Sequence, residues 1–147
     1  MDVEDVRNEK RRETELGIMK NRRRKLGDAG EALACEHLLA LGHTVLERNW
    51  TYAHLEVDII TLSGDGLHFV EVKTRTAPSG AEPEESVGLA KQRKLVAAAE
   101  AFVHKRGNEA LKENQDLHFD VFSVIFERES VRVRYIPEAF IPIFYSI

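Results

Sequence analysis

Two carboxylates and a lysine, spaced as Asp58, twelve intervening residues, then Glu71-Val72-Lys73, are the groups in this chain best placed to do chemistry together. They sit in the stretch from Leu55 to Arg75, which reads as two strands joined by a tight turn. Val57, Ile59, Ile60 and Leu62 carry the strand signal before the turn, and Phe69, Val70 and Val72 carry it after. The linker Ser63-Gly64-Asp65-Gly66 is rich in residues that hairpin connections accept. Side chains alternate across a strand, so Glu56 and Asp58 share one face, while Phe69, Glu71 and Lys73 share a face of the partner strand. Facing residues on paired strands have Cβ atoms about 4.5–5.5 Å apart, and magnesium holds oxygens at about 2.1 Å. Asp58 and Glu71 can therefore share one ion if they fall opposite or nearly so, with Lys73 on the same side to orient a water or screen a phosphate. The competing reading is a solvent-facing strand laced with cross-strand ion pairs. Asp58 speaks against it, because a carboxylate inside an Asp-Ile-Ile run is expected to be buried and to need a partner or a metal.

The elements that must position these groups follow from periodicity. A helix is expected from Leu26 to Leu41, stopped by Gly42, with Ala34, Cys35, Leu38 and Leu41 as its apolar stripe. One turn earlier on that stripe is Glu31, which favours the helix dipole and can aim a carboxylate at the sheet; an ordinary first-turn glutamate is the alternative. Gly27 and Gly30 keep that turn slim. His43 to Trp50 alternates as a strand, with Val45, Glu47 and Asn49 on one face and Leu46, Arg48 and Trp50 on the other. Thr76 to Ser86, with Pro78, Gly80 and Pro83, is a loop that serves as a lid, a substrate guide or a plain connection. A second helix is expected from Val87 to Arg106, ended by Gly107, with Leu95, Ala98, Ala99, Phe102 and Val103 buried. Lys91 lies one turn before Leu95 on that face, where it either snorkels to solvent or reaches into a site at the edge. Leu117 to Phe126 and Ser130 to Ile136 complete the strands, the latter with Val131, Val133 and Tyr135 inward and its arginines outward. The rest, with Pro137 and Pro142, reads as an irregular apolar tail packed on the domain.

Composition narrows the classes. The length of 147 residues, 43% hydrophobic and 31% charged, describes one soluble domain with a real core. No run approaches the roughly 18 apolar residues of a membrane helix, and a charged N-terminus is unlike a signal peptide, so a cytoplasmic protein with no membrane partner is expected. The single Cys35 lies in an apolar stripe and reads as core rather than nucleophile, and no Cys/His cluster suggests structural zinc. A net charge of −4 does not announce a nucleic-acid binder, so any such surface must be a local patch. Residues 1–24 hold eight Lys/Arg and six Asp/Glu with almost no apolar periodicity. They read as a charged N-terminal extension over residues 1–25, either a solvated tail or a polar helix, ahead of one domain over 26–147. Met19 before its basic run offers an alternative start that would leave 1–18 outside the native protein. No P-loop, GxGxxG or HExxH pattern occurs.

The order of these pieces is more specific than any one of them. Leu26-Gly27-Asp28-Ala29-Gly30-Glu31, Arg48-Asn49, Glu56-Val57-Asp58-Ile59-Ile60, Phe69 to Arg75, Lys91 with Leu95, and Phe119-Asp120-Val121 together resemble the YraN family of endonuclease-like proteins. That family belongs to the PD-(D/E)xK nuclease superfamily and is similar in fold to Holliday-junction resolvases. The resemblance covers roughly residues 20–126. It departs from the family pattern at Leu55, where glycine is usual, and in the long charged N-terminus. It implies an α/β, restriction-endonuclease-like fold with a central mixed sheet of about five strands flanked by helices. It further implies that Glu31 is a helix-borne catalytic carboxylate, Asp58 and Glu71 are metal ligands, Lys73 is the catalytic lysine and Lys91 an accessory group. The expected function is cleavage of DNA phosphodiester bonds, branched or structured DNA included, with Mg2+ or Mn2+. A non-catalytic nucleic-acid-binding module that keeps the pocket and a protein-interaction domain are the alternatives. The sequence leaves the oligomeric state open, a homodimer included.

Overall fold

In the computed structural model, which describes residues 2–77, 86–105 and 115–142, one mixed sheet stands between two helices. The elements in chain order are α1 (Val3–Ala40), β1 (Thr44–Tyr52), β2 (Leu55–Ser63), β3 (Gly66–Thr76), α2 (Leu89–Val103), β4 (Leu117–Phe126) and β5 (Val131–Ile136). The strands lie side by side in sequence order. Pairing is antiparallel except between β3 and β4, whose parallel register runs from Leu67 beside Leu117 to Thr76 beside Phe126. A parallel neighbour needs a crossover, and α2 lies within it. Alternation along the strands, broken in β2 between Val57 and Ile59, makes two cores. Val57, Ile60, Phe69, Phe119 and Val121 pack with Leu95, Ala98 and Phe102 of α2. Ile59, Val70, Phe122 and Val124 pack with Ala34, Cys35 and Leu38 of α1 on the other face. This is the expected α/β, restriction-endonuclease-like arrangement. Cys35 is buried as a core residue.

Several boundaries differ from expectation. The first helix begins at Val3 rather than Leu26 and runs for 38 residues. Residues 3–25 contain no proline and are dominated by Glu, Lys and Arg, good helix formers that need no core, and Arg11 pairs with Glu15 one turn on at 3.1 Å. Of the two readings for this region, it is the polar helix. The helix ends as expected at Gly42, whose φ of +92° closes a Schellman motif. There the Gly42 and His43 N–H groups donate to the Leu39 and Leu38 carbonyls, each at 3.0 Å. Leu41 is the cap residue and is exposed, not part of the buried stripe. Helix α2 starts at Leu89, after Val87 and Gly88, and ends at Val103 with His104 as its cap, short of the expected Arg106; Gly107 lies outside the described residues, as does most of the 76–86 loop.

The strict alternation expected for β1 fails. The register shifts between Val45 and Glu47, and Asn49 has a φ of +49°. Leu46 and Trp50 pack on the α2 face, whereas Arg48 reaches Glu31 of α1. In β5, Val131 and Val133 are exposed rather than inward, because the helices make their main contacts with β1–β3 and leave the start of this edge strand uncovered. Only Tyr135 and Ile136 pack inward, and Arg132 pairs with Glu127 at 2.6 Å. The start of the tail packs as expected, Phe140 stacking on Phe119 with ring centroids 5.0 Å apart. No helix among the described residues is long and apolar enough to cross a membrane.

Candidate active site

The β2–β3 ladder runs from Ser63–Gly66 to Ile59–Val70 and stops there. The next facing positions would be Asp58 and Glu71. In place of a further backbone pair, the Asp58 carboxylate accepts a hydrogen bond from the Val72 N–H at 2.8 Å. The two strands part at this point, and the parting opens room for side chains between them. Along β3 the side chains change from buried at 66–70 to partly exposed at 71–74, so the strand leaves the core where Glu71 and Lys73 stand.

Helix α1 brings Glu31 to the same place. A Cβ on Gly30 would lie 2.1 Å from Thr74 Oγ1, so only glycine lets α1 come this close to β3. Glu31, with a side chain only 13% exposed, has Arg48 at 3.8 Å. The Asn49 side chain also hydrogen-bonds its carboxyl, and the positive φ of Asn49 is tolerated best by this residue type among those with a side chain. From the other face, Lys91 Nζ of α2 stands 3.5 Å from Glu71 Oε2, and the Glu71 side chain is 17% exposed. Lys73 Nζ donates to the Ser86 carbonyl, just ahead of α2, at 2.6 Å.

The electrostatics follow from burial of like charges. Glu71 is pushed up to about 7, first by burial and then by the Asp58 charge, against the pull of Lys91 and Lys73. Asp58 is raised by burial and by Glu56, against the Val72 N–H and Lys91. Glu31 is raised by burial and by Asp58, with Asn49 and Arg48 opposing. Asp58 is thus the charge that the other two carboxylates feel. Glu31 Oε2 is buried with no hydrogen-bond partner.

All five residues singled out in the sequence, Glu31, Asp58, Glu71, Lys73 and Lys91, therefore come from four elements to one end of the sheet. Their ligand oxygens do not draw together as a set of three within 4.8 Å. Among the described residues that closeness occurs only for Asp65, His68 and His118, a group that can hold a metal ion. Arg48 and Asn49 also meet Glu31 at the site; the pair is among the segments that carry the family resemblance, but the sequence assigns it no role. His68 and His118 went unread as well, though the triplet Leu-His-Phe occurs at both 67–69 and 117–119.

Comparison with known proteins sets these residues in a family. The model of the uncharacterised protein family UPF0102 matches residues 30–124, which contain every residue of both groups. A UPF0102 protein of Chlorobium chlorochromatii is 42% identical over 100 residues, covering 68% of this chain and 74% of its own. Those of Bacteroides thetaiotaomicron and Anaeromyxobacter dehalogenans are 37% and 40% identical over 118 residues, or 80% of this chain and 93% and 85% of theirs. With the fold, the match over most of the chain and the relatives in agreement, the chain belongs to UPF0102, the YraN family.

Proposed function

We propose that this chain is a magnesium- or manganese-dependent endonuclease that acts on DNA, branched or otherwise structured DNA included. The observation that carries the reading is the parting of β2 and β3 at Asp58 and Glu71, where mostly buried carboxylates meet two lysines. The site fits a hard divalent cation. Its carboxyls are raised by burial, Glu31 and Glu71 further by the Asp58 charge, and Glu31 holds a buried oxygen without a hydrogen-bond donor. A cation relieves both conditions, and carboxylate oxygens are the ligands magnesium and manganese prefer. Asp58 and Glu71 would hold the ion, which when bound supplies Lewis acidity toward phosphate and lowers the pKa of water.

The chain's own groups do the rest. Lys73 offsets the negative charge that builds on the phosphate in the transition state. Lys91 keeps the Glu71 carboxylate turned into the site, and Arg48 with Asn49 does the same for Glu31. Beyond Lys73 the surface continues as a shallow groove lined by Lys73, Thr74, Arg75 and Ser123. A neighbouring hollow is lined by Arg23, Gly27 and Arg75. These arginines offer a backbone phosphate track on a chain whose net charge is negative.

A non-catalytic nucleic-acid-binding module is the second reading, favoured by the 2.6 Å bond that ties Lys73 Nζ to the Ser86 carbonyl. Purified wild type and Lys73→Ala, incubated with linear, single-stranded and four-way-junction DNA in manganese, separate the two. The nuclease reading expects metal-dependent cutting that Lys73→Ala slows by about 10²–10³, with only modest loss of DNA binding. Steeply salt-dependent binding with no cutting by wild type transfers the assignment to the binding module. Equal cutting by both proteins removes Lys73 from the mechanism.

A further inference from the structure

Leu67-His68-Phe69 opens β3 and Leu117-His118-Phe119 opens β4, and the parallel register sets each residue beside its counterpart. The two imidazoles stack, with centroids 4.5 Å and planes 21° apart. Each ring has a carboxylate at Nδ1: Asp120 Oδ2 lies 2.6 Å from His68, and Glu138 Oε1 faces His118. Each Nε2 turns to Asp65 in the β2–β3 turn. His68 Nε2 lies 2.7 Å from the Asp65 carboxylate, and His118 Nε2 lies 2.7 Å from the Asp65 carbonyl. Asp120 is fully committed, accepting from the Tyr135 hydroxyl and the Glu138 N–H as well.

Hydrogen-bond accounting makes this arrangement incomplete. All four ring nitrogens face oxygen acceptors, yet a neutral imidazole has a single N–H to give. The Ser63 hydroxyl, 3.1 Å from His68 Nε2, already donates to Asp65. Satisfying every contact with protons alone would require two imidazolium cations stacked face to face. An external cation on the Nε2 side resolves this: each ring then keeps its Nδ1–H for its carboxylate and presents a lone pair at Nε2. A carboxylate behind each imidazole is the arrangement that orients metal-ligating histidines.

We propose that His68 Nε2, His118 Nε2 and the Asp65 carboxylate form a transition-metal site of the zinc class, separate from the Asp58–Glu71 site. Imidazole ligands select zinc and its neighbours over magnesium. Tetrahedral zinc with bonds of about 2.0–2.1 Å sets ligand atoms about 3.3 Å apart. The Asp65 carboxylate now lies 2.7 Å from His68 Nε2 and 3.9 Å from His118 Nε2, which bracket that spacing. Its side chain is 64% exposed on a turn and can swing to even them, whereas the His68 side chain is 4% exposed and fixed. The solvent side leaves the fourth position to water. Such an ion ties the β2–β3 turn to the start of β4, residues far apart in sequence.

Cobalt(II) and zinc titrations of the metal-stripped full chain test the site. Wild type is expected to bind one Co2+ with the visible absorption of a four-coordinate ion, and Zn2+ at about 100 times its Kd should raise Tm by roughly 5–10 °C. Asp65→Asn, at an exposed turn where folding is spared, and His118→Gln should each abolish the absorption. Glu138→Gln should weaken Co2+ about 10–100-fold by releasing His118. Asp58→Asn should leave the absorption intact, so this site can succeed or fail independently of the nuclease reading. No binding by wild type overturns the proposal, as does absorption that persists in both Asp65→Asn and His118→Gln. Absorption lost only in Asp58→Asn overturns it too, by placing the ion among the carboxylates.

Discussion

Glu71→Gln tests whether the candidate active site is a store of electrostatic repulsion. The Glu71 carboxyl is raised from its ordinary value near 4.5 to about 7 by burial and by Asp58. A raised acid means that the folded state holds the proton more tightly than the unfolded chain does. The contribution of Glu71 to stability is therefore fully present below pH 4.5, falls as pH rises to about 7, and is level above that. The span corresponds to about 3 kcal/mol of penalty at pH 8, since the side chain is mostly buried and solvent screens it little. Glutamine keeps the shape and removes the titration. The variant should match wild type at pH 4.5 and exceed it by up to about 3 kcal/mol at pH 8, or about 6–12 °C in Tm for a chain of this size. Urea unfolding at both pH values measures the difference directly. Magnesium should narrow the gap at pH 8 by stabilising wild type more than the variant, because a cation neutralises the charge that glutamine lacks. A Glu71→Gln effect that is the same at both pH values would refute the reasoning, since it would then reflect packing or the Lys91 contact and not repulsion.

Asp58→Asn should abolish the Tm gain that magnesium gives wild type while keeping the bond to the Val72 N–H through its amide oxygen; equal magnesium titrations by thermal melt would count against a cation there. Gly30→Ala should destabilise by about 1–3 kcal/mol, because its methyl would meet Thr74 Oγ1 at 2.1 Å, and a Gly30→Ala/Thr74→Ala double variant should recover most of that loss in urea unfolding. Removing residues 1–18 should change Tm little, because that part of α1 is exposed and Leu16 and Ile18 cover no core; a drop of several degrees by calorimetry would show otherwise.

Four of the five candidate residues stand out in the sequence because each breaks a local rule, and Lys73 because it shares the Glu71 face two residues on. Asp58 and Glu71 interrupt strand faces, and Glu31 and Lys91 extend apolar helical stripes by one turn. What alternation could not supply is where it stops. The shift between Val45 and Glu47 and the positive φ of Asn49 send Arg48 to the face opposite the expected one, and neither leaves a mark in a pattern of apolar and polar residues. The exposure of Val131 and Val133 is a matter of which strand lies at the sheet edge. Local alternation is the same for an edge strand and a covered one. For residues 3–25 the sequence leaves a solvated tail and a polar helix both open, because that helix has no buried face to impose a period.

The histidine pair shows the opposite limit. Within its own strand, His68 has no anomaly: it stands between Leu67 and Phe69 as one polar residue in an alternating run, and His118 stands likewise between Leu117 and Phe119. Their chemistry arises only when a parallel register, reached across the whole α2 crossover, brings ring against ring and Asp120 and Glu138 behind them. The carboxylate site differs because Asp58 and Glu71 belong to one hairpin, and a hairpin's register is fixed by its turn. Counting back from the Ser63–Gly66 pair places Asp58 opposite Glu71 without reference to any other element. Sites built within a hairpin can thus be read from spacing, while sites built across a parallel crossover need the fold first.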